Sequence, residues 1–412
     1  MRYVSTLLGL WLAACASAAP QETPHATVAI AAAVPVIQTP PAPLPSYVRV
    51  LVGGDLLPHR PQLLSPESIG ASLVPLRPLF RSADAVVANY ETATGEISGI
   101  DPSTLSLAAT PAWMKAVRGE DVTAITLANN HACDLGGPGL SASIETAGAL
   151  GFAAMGAARE EPFAARTLAE RDGHRVCGVA WTTFVNDHRP GCETTGRVAL
   201  AKPSREGRLR VAKAVADAIQ GGCDAVIAIF HGGEEYAPQT RGMLAMARAA
   251  AEAGADAVVI HHPHVVSPLE VMTTEDGRHV PVFASVGNLV SNQGESWTPA
   301  LPATQADRRI VYLNGWTRLG MLADLELRLD PQAGRQRVAA WGYHLVLTDN
   351  DHVLDKSNPH PRIEARVLDR DEDRAVVDKL ARDAGGPRAV FDDPCWIERD
   401  GADATAGPSC LP

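Results

Sequence analysis

The stretch from Ala255 to Val266, ADAVVIHHPHVV, restricts the fold more than any other part of the chain. An apolar run rich in valine and isoleucine reads as a buried strand. It gives way at once to His262 and His264, two imidazoles one residue apart. Imidazole is the commonest protein metal ligand near neutral pH, so a strand that ends this way points to a place for a cation. Five other strings repeat the arrangement: GGDLLPH (Gly53 to His59), ANYE (Ala88 to Glu91), LANNHACD (Leu127 to Asp134), IFHGGEEY (Ile229 to Tyr236) and SVGNL (Ser285 to Leu289). Each closes an apolar, β-prone run, and in open α/β sheets sites assemble at the carboxyl ends of strands. Asp55, Glu91, Asn130, His131, His231, His262 and His264 are therefore expected along one edge. Carboxylate, amide and imidazole donors without thiolate suit two divalent ions such as Mn, Zn, Fe or Mg. A dinuclear hydrolytic centre follows as the reading.

Short apolar runs alternate with helical patterns from residue 47 onward. Strands are expected at Tyr47 to Gly53, Ala83 to Asn89, Val122 to Leu127, Arg175 to Thr182, Ala225 to Phe230, Ala257 to His261 and Pro281 to Val286. Helices are expected at Gly139 to Leu150, Arg205 to Gln220 and Arg241 to Ala253, the second with Leu209, Ala212, Val215, Ala216 and Ile219 on one face. Leu319 to Leu329 and Arg337 to Leu347 read as late antiparallel strands. Strands interleaved with helices imply a parallel or mixed sheet.

The individual residues carry different chemistry. In LANNHACD, the Asn130 amide oxygen can ligate a metal and the neighbouring His131 can move a proton; the alternative is a turn in which Asn129 and Asn130 satisfy backbone groups. Asp134 either orients His131 or serves that turn. Asp55 and Glu91 follow apolar runs directly, where a carboxylate can bridge two cations or serve as a cap. Gly232 and Gly233 let the backbone approach a ligand after His231. Glu234 and Glu235 either hold ligating imidazoles through hydrogen bonds or face solvent. His59 is a ligand or lines the pocket.

A hydrophobic fraction of 46% is ordinary for a globular chain, and 412 residues allow one large domain or two smaller ones. The net charge of −11 and the lack of a basic stripe set nucleic acid aside. Arg2 and the short apolar run Tyr3 to Leu12 fit a secretory leader. Leu12, Ala13, Ala14 and Cys15 resemble a bacterial lipobox, which makes Cys15 the lipidated residue of a membrane-anchored protein, at the outer membrane in a Gram-negative host. Cleavage after Ala16, Ser17 and Ala18 to a secreted form is the alternative. Of the seven cysteines, Cys133, Cys177, Cys192, Cys223, Cys395 and Cys410 remain once Cys15 is set aside, an even set that permits disulfides in an exported chain. Cys177 with Cys192 and Cys395 with Cys410 are nearest in sequence, and reduced Cys177 and Cys223 are the alternative. Residues 16–46, rich in Ala and Pro, read as a tether. The tail 349–412 is a charged extension in which Asp369 to Asp383 is expected to be a helix with a solvated face.

Taken in order, the strings resemble the CapA family of poly-γ-glutamate capsule biosynthesis proteins. The elements are Gly54-Asp55, Asn89-Tyr90-Glu91, Asn129-Asn130-His131 with Asp134, His231 to Tyr236, Gly254 to Val265, and Gly287-Asn288. Gly232 stands where that family has Trp, and Ile260 where it has Gly. The family is similar in turn to calcineurin-like metallophosphoesterases. The resemblance implies, for residues 47–348, an α/β sandwich of two mixed β-sheets flanked by helices. It also implies Asp55 and His264 on one metal, Asn130, His231 and His262 on the other, Glu91 as the bridge, and His131 as the proton donor or transition-state stabiliser; Asp134 and Glu235 join His131 as catalytic candidates from the reading of the residues above. The related Asp-x-His element stands here as Asp55-Leu-Leu-Pro-His59, so its histidine is absent or displaced. The function implied is synthesis, export or processing of an anionic polymer such as poly-γ-glutamate, alongside envelope polymer-synthesis proteins. A phosphoester or amide hydrolase acting on a phosphorylated small molecule, and a non-catalytic assembly component, are the alternatives.

Overall fold

In chain order the first half contains β1 (Tyr47–Leu56), α1 (Pro66–Leu73), α2 (Arg77–Phe80), β2 (Ala85–Tyr90), β3 (Ala93–Thr94), β4 (Gly99–Asp101), β5 (Ser106–Ala109), α3 (Pro111–Gly119), β6 (Ala124–Thr126), α4 (Gly136–Ala149), β7 (Ala153–Met155), β8 (Arg166–Arg171) and β9 (His174–Thr182). The second contains α5 (Arg205–Gln220), β10 (Ala225–His231), α6 (Arg241–Glu252), β11 (Ala257–His261), β12 (Leu269–Thr273), β13 (His279–Phe283), β14 (Asn288–Val290), β15 (Leu319–Arg328), β16 (Val338–Asn350), β17 (Ile363–Val367) and α7 (Arg374–Arg382). This computed structural model describes residues 45–59, 61–96, 99–101, 106–186, 192, 197–302, 310–330, 334–352, 354–355, 357–358, 361–383, 386–398 and 406–412. The expected leader, Cys15 and the tether up to residue 44 lie outside the described residues.

The strands form two mixed sheets and a small third one. The first sheet has the order β17-β16-β15-β1-β2-β6-β7, with β14 also paired to β1. Within it β1 runs parallel to β2 and β14 and antiparallel to β15. The second has the order β12-β13-β11-β10-β9-β8. Its four inner strands are parallel and its edges, β12 and β8, antiparallel. Side chains of a strand alternate between faces, and β1 shows what that does. Val48, Val50 and Val52 pack with Ile227 and Ile229 of β10 and Val259 of β11 between the sheets. Leu51 faces the other way, with Ile69 of α1, Trp113 of α3 and Leu140 of α4. On the far face of the second sheet, Phe230 and Ile260 pack against Val211 of α5 and Met246 of α6. The layers are therefore helix, sheet, sheet, helix, the two mixed sheets flanked by helices anticipated above.

Side-chain caps set where the helices begin. The oxygens of Ser65, Thr110, Ser204 and Thr240 accept from backbone N–H groups of the first turns of α1, α3, α5 and α6, satisfying donors that a helix start leaves free. The buried stripe of α5 differs from the expected one. Gly207, Val211, Ala214, Val215 and Ala218 face inward, while Leu209 is 61% and Ile219 42% exposed. Val215 is common to both faces, and the inward stripe is turned toward Gly207, where the chain approaches closely. A Cβ on Gly207 would lie 1.9 Å from the Lys202 carbonyl oxygen.

The cysteines pair as Cys133–Cys192, Cys177–Cys223 and Cys395–Cys410. Only the last matches sequence proximity. Cys177 on β9 is carried next to Cys223, just before β10, because β9 and β10 are register neighbours. The tail is tied into the first sheet: β17 pairs with β16, and Cys410 exchanges backbone hydrogen bonds with Trp341. The expected tail helix is shorter, and part of its charged face is buried. Lys379 pairs with Asp383, whose carboxylate also accepts from Trp297 Nε1 at 2.9 Å.

Candidate metal centre

Asp55 is brought into place by two glycines. A Cβ on Gly54 would stand 2.0 Å from the Gly287 carbonyl oxygen, so only glycine lets β1 pass that close. The Asp55 N–H then donates to the same oxygen at 3.1 Å. In register, Asp55 lies beside Asn89 on β2 and Asn288 on β14. Across the sandwich His231, the last residue of β10, lies beside His261, the last of β11. His262 and His264 follow with φ of 102° and 57°. Backbone of this kind costs a non-glycine residue about 1–3 kcal/mol and clusters at functional sites. Here it brings the His262 ring within 4.8 Å of His231 and 5.8 Å of His264, centroid to centroid.

The six expected ligands come together, all of them buried. His231 Nε2 lies 2.7 Å from Asn130 Oδ1, 3.1 Å from His262 Nδ1 and 3.5 Å from Glu91 Oε1. His264 Nδ1 lies 3.2 Å from Asp55 Oδ2, and its Nε2 3.8 Å from Glu91 Oε1. Carboxylate and imidazole donors fall into two overlapping triplets, Asp55, Glu91 and His231, and Glu91, His262 and His264. Glu91 is common to both, the position of a bridge. The same side chains also approach one another as the resemblance implies, Asp55 with His264 and Asn130 with His231 and His262, so the distances accommodate either division of the histidines.

Burial and neighbouring charge shape the protonation of this cluster. Burial works against ionised Asp55, yet the hydrogen bond with His264 and the nearby His261, His264 and His231 outweigh it and hold its carboxyl below the usual range. Glu91 is pushed well up by burial, with the charges of Asp55 and Glu235 adding to it. Burial, then the proximity of His262, drives His231 well down; burial, then His264, takes His262 down to about 3. His264 moves up, because its bond to Asp55 overcomes burial.

These residues fit divalent cations. Both oxygens of Glu91 are buried and accept no hydrogen bond, which for a carboxyl group is costly unless a cation supplies the missing partner. The donor set contains oxygen and nitrogen and no thiolate, as suits Mn, Zn, Fe or Mg.

Of the residues expected to move protons, His131 is half-buried, and its Nδ1 lies 2.6 Å from Asp134 Oδ2. Asp134 is fully buried and also accepts from Leu107 N, so it orients His131 rather than merely closing a turn. Glu235 is exposed. Its charge reaches Glu91 and His264, but it stands outside the buried cluster. His59 is half-buried and belongs to neither triplet. The sequence reading assigned no role to Asn89, Asn288 or His261. Asn89 Nδ2 donates to Asp55 Oδ1 at 2.7 Å and stands 3.1 Å from His231 Nδ1. Asn288 Oδ1 is 3.0 Å from His264 Nδ1. His261 Nε2 donates to the Gly53 carbonyl at 2.8 Å. Their place at strand ends within the motifs was visible; which of two adjacent polar residues turned inward was not.

Residues 49–293 match the family model described as bacterial capsule synthesis protein PGA_cap. The chain is 31% identical over 198 residues to the capsule biosynthesis protein CapA of Bacillus anthracis, covering 47% of this chain and 46% of that protein. It is 28% identical over 232 residues to the PGA biosynthesis protein CapA of Bacillus subtilis strain 168, covering 54% and 57%. The matches thus span about half the length of these curated relatives. Among solved structures it is similar to the calcineurin-like phosphoesterase YfkN of Bacillus subtilis, at 14% identity and a TM-score of 0.41 over 85% of this chain and 100% of that one. With every family motif gathered at the ends of β1, β2, β6, β10, β11 and β14, and with more than half of its length matched, this chain belongs to the PGA_cap family of bacterial capsule synthesis proteins.

Proposed function

We propose that this protein is an exported, lipid-anchored, metal-dependent hydrolase that processes an anionic envelope polymer, poly-γ-glutamate by family likeness, beside the proteins that polymerise and export it. The observation that carries the reading is Glu91, buried between two ligand triplets with neither oxygen hydrogen-bonded. Asp55, Glu91, Asn130, His231, His262 and His264 are the residues that would hold two divalent ions. Such ions, when bound, polarise a scissile carbonyl or phosphoryl group and lower the pKa of bound water.

The chain's own residues account for the rest. Asp134 accepts from Nδ1 of His131, so Nε2 is left to exchange a proton with a substrate, and the His131 side chain, 12% exposed, is the part of this pair that solvent reaches. Sheet registers fix Asp55 and His231 in place before any ligand arrives, the preorganisation that makes such a site effective. Support for export comes from the three disulfides, which persist in oxidising compartments. Among the described residues no helix is long and apolar enough to cross a membrane, and the membrane attachment proposed here goes through Cys15.

The test is turnover by the Mn²⁺-supplemented protein of two substrate classes, aryl phosphoesters and γ-glutamyl oligomers, with His131→Ala as control. Hydrolysis of either class that His131→Ala abolishes supports the reading, and the class cleaved decides between a phosphorylated small molecule and the polymer. A metal-loaded protein inert to both would contradict it and leave a non-catalytic assembly role.

A further inference from the structure

The six candidate ligands are divided between the two large sheets. Asp55, Glu91 and Asn130 lie at or just beyond the ends of β1, β2 and β6 in the first, and His231, His262 and His264 at those of β10 and β11 in the second. A cluster assembled in this way keeps its geometry only while the two sets of strand ends keep their spacing.

A segment directly after β9, Thr183 to Asn186, spans that division. Thr183, 4% exposed, donates from its backbone N–H to the His231 carbonyl at 2.9 Å. A Cβ on Gly232 would lie 2.2 Å from Thr183 Oγ1, so the segment lies directly against the chain that follows His231. The Phe184 ring meets the His262 ring edge-on, with 5.0 Å between centroids and 83° between planes, and the Phe184 carbonyl is held by Thr182 Oγ1 at 2.7 Å. Asn186 then reaches the first-sheet side, where its N–H donates to the Asn130 carbonyl at 2.8 Å. Three candidate ligands from three strand ends are thus touched by four consecutive residues.

The same connection is tied down covalently. Cys192, also between β9 and α5, is bonded to Cys133 in the loop that carries Asn130 and His131. Both cysteines are buried, and Val185 packs against the cluster that contains them. Cys177–Cys223 stays within the second sheet, and Cys395–Cys410 lies in the tail beside β16, so neither bridges the two sets of ligands.

We propose that Thr183 to Asn186 form a positioning strap for the centre and that the Cys133–Cys192 disulfide anchors it, holding the Asn130 loop against His231 and His262. The strap itself binds no ion; its role rests on the metal reading of the site. It acts through backbone hydrogen bonds and one ring contact.

The test compares the parent with Cys133→Ala/Cys192→Ala and, as a control for the loss of any disulfide, with Cys395→Ala/Cys410→Ala. The readouts are amide hydrogen exchange of the metal-free protein and calorimetric Mn²⁺ titration. In Cys133→Ala/Cys192→Ala the amides of Thr183 and Asn186 should lose their protection while those of β10 and β11 keep theirs. Mn²⁺ affinity should fall about 10–100-fold, the range seen when the groups that hold metal ligands are lost. Cys395→Ala/Cys410→Ala should lower the melting temperature and leave both readouts at parent values. Gly232→Ala crowds Thr183 without touching either cysteine and covers the case in which Cys133→Ala/Cys192→Ala fails to fold; it should loosen Thr183 and weaken Mn²⁺ binding by less. Parent-like protection and affinity in the folded variant, or an equal loss in the Cys395→Ala/Cys410→Ala control, would overturn the strap while leaving the metal reading intact. A parent that takes up no Mn²⁺ would end the metal reading and this role together.

Discussion

The Glu91 carboxylate stands 3.5 Å from His231 Nε2, and neither of its oxygens accepts a hydrogen bond. A buried acid in that position is poorly served by the polypeptide alone. Glu91→Gln should therefore leave the melting temperature of the metal-free protein unchanged or raise it. It should also remove the stabilisation that metal confers, which for a ligand at a hundred times its Kd is about 2.7 kcal/mol. Calorimetric melting with and without Mn²⁺ checks both. A large loss of metal-free stability would mean that Glu91 is held by the fold and not by a cation.

Metal uptake should release protons and strengthen with pH. Glu91 is pushed well above the usual carboxyl range by burial and the charges of Asp55 and Glu235, so it carries a proton that a bound cation must displace. His262, down to about 3, is neutral throughout the neutral range and asks for no such release. Titrations in buffers of different ionisation enthalpy give the proton count directly. A count of zero at pH 6 would show that Glu91 is already ionised or takes no part.

His131 and Asp134 should separate catalysis from metal binding. General acid–base help contributes typically about 10²–10⁴-fold, and His131→Ala should lower kcat by that order with metal content unchanged. Asp134→Asn should lower kcat by a smaller factor and shift the pH profile, since the Nδ1 partner at 2.6 Å then loses its charge. Metal loss in either variant would reassign His131 to the centre itself.

Away from the site, Asp256 makes stability fall as pH rises. Burial pushes its carboxyl up to about 7 from 3.8, although the Val226 N–H and Arg278 oppose the shift. A group whose pKa is higher in the folded state favours the fold fully below 3.8, and that contribution is lost as pH climbs through about 7. Asp256→Asn keeps an acceptor for Val226 N and should melt higher than the parent at pH 8 but not at pH 3.5. Equal differences at both pH values would refute the linkage.

Much of this was legible beforehand, and the reasons are physical. Parallel strands buried on both faces read as apolar runs, and polar residues gather where such a run gives out at the strand's carboxyl end. That is why Asp55, Glu91, Asn130, His231, His262 and His264 could be placed together from spacing alone. Short or poorly patterned strands such as β8 and β12 gave no periodic signal, since their side chains face solvent over much of their length. The face of α5 was misread because its large residues Leu209 and Ile219 lie outward while Gly207 and two alanines lie inward beside Val211 and Val215. Cys133 pairs with Cys192 across 59 residues, which nearness in sequence does not encode, and Asn89 was passed over because hydrogen-bond direction is a property of the assembled sheets.

The most direct measurement is the metal content of the purified full-length protein, by elemental analysis after Mn²⁺ or Zn²⁺ supplementation, beside the His231→Ala/His262→Ala double variant. The account predicts one to two ions per chain in the parent and their loss from a variant that remains folded by circular dichroism. A parent that stays metal-free, or a variant that keeps the full complement, would contradict the assignment of this cluster as a dinuclear centre.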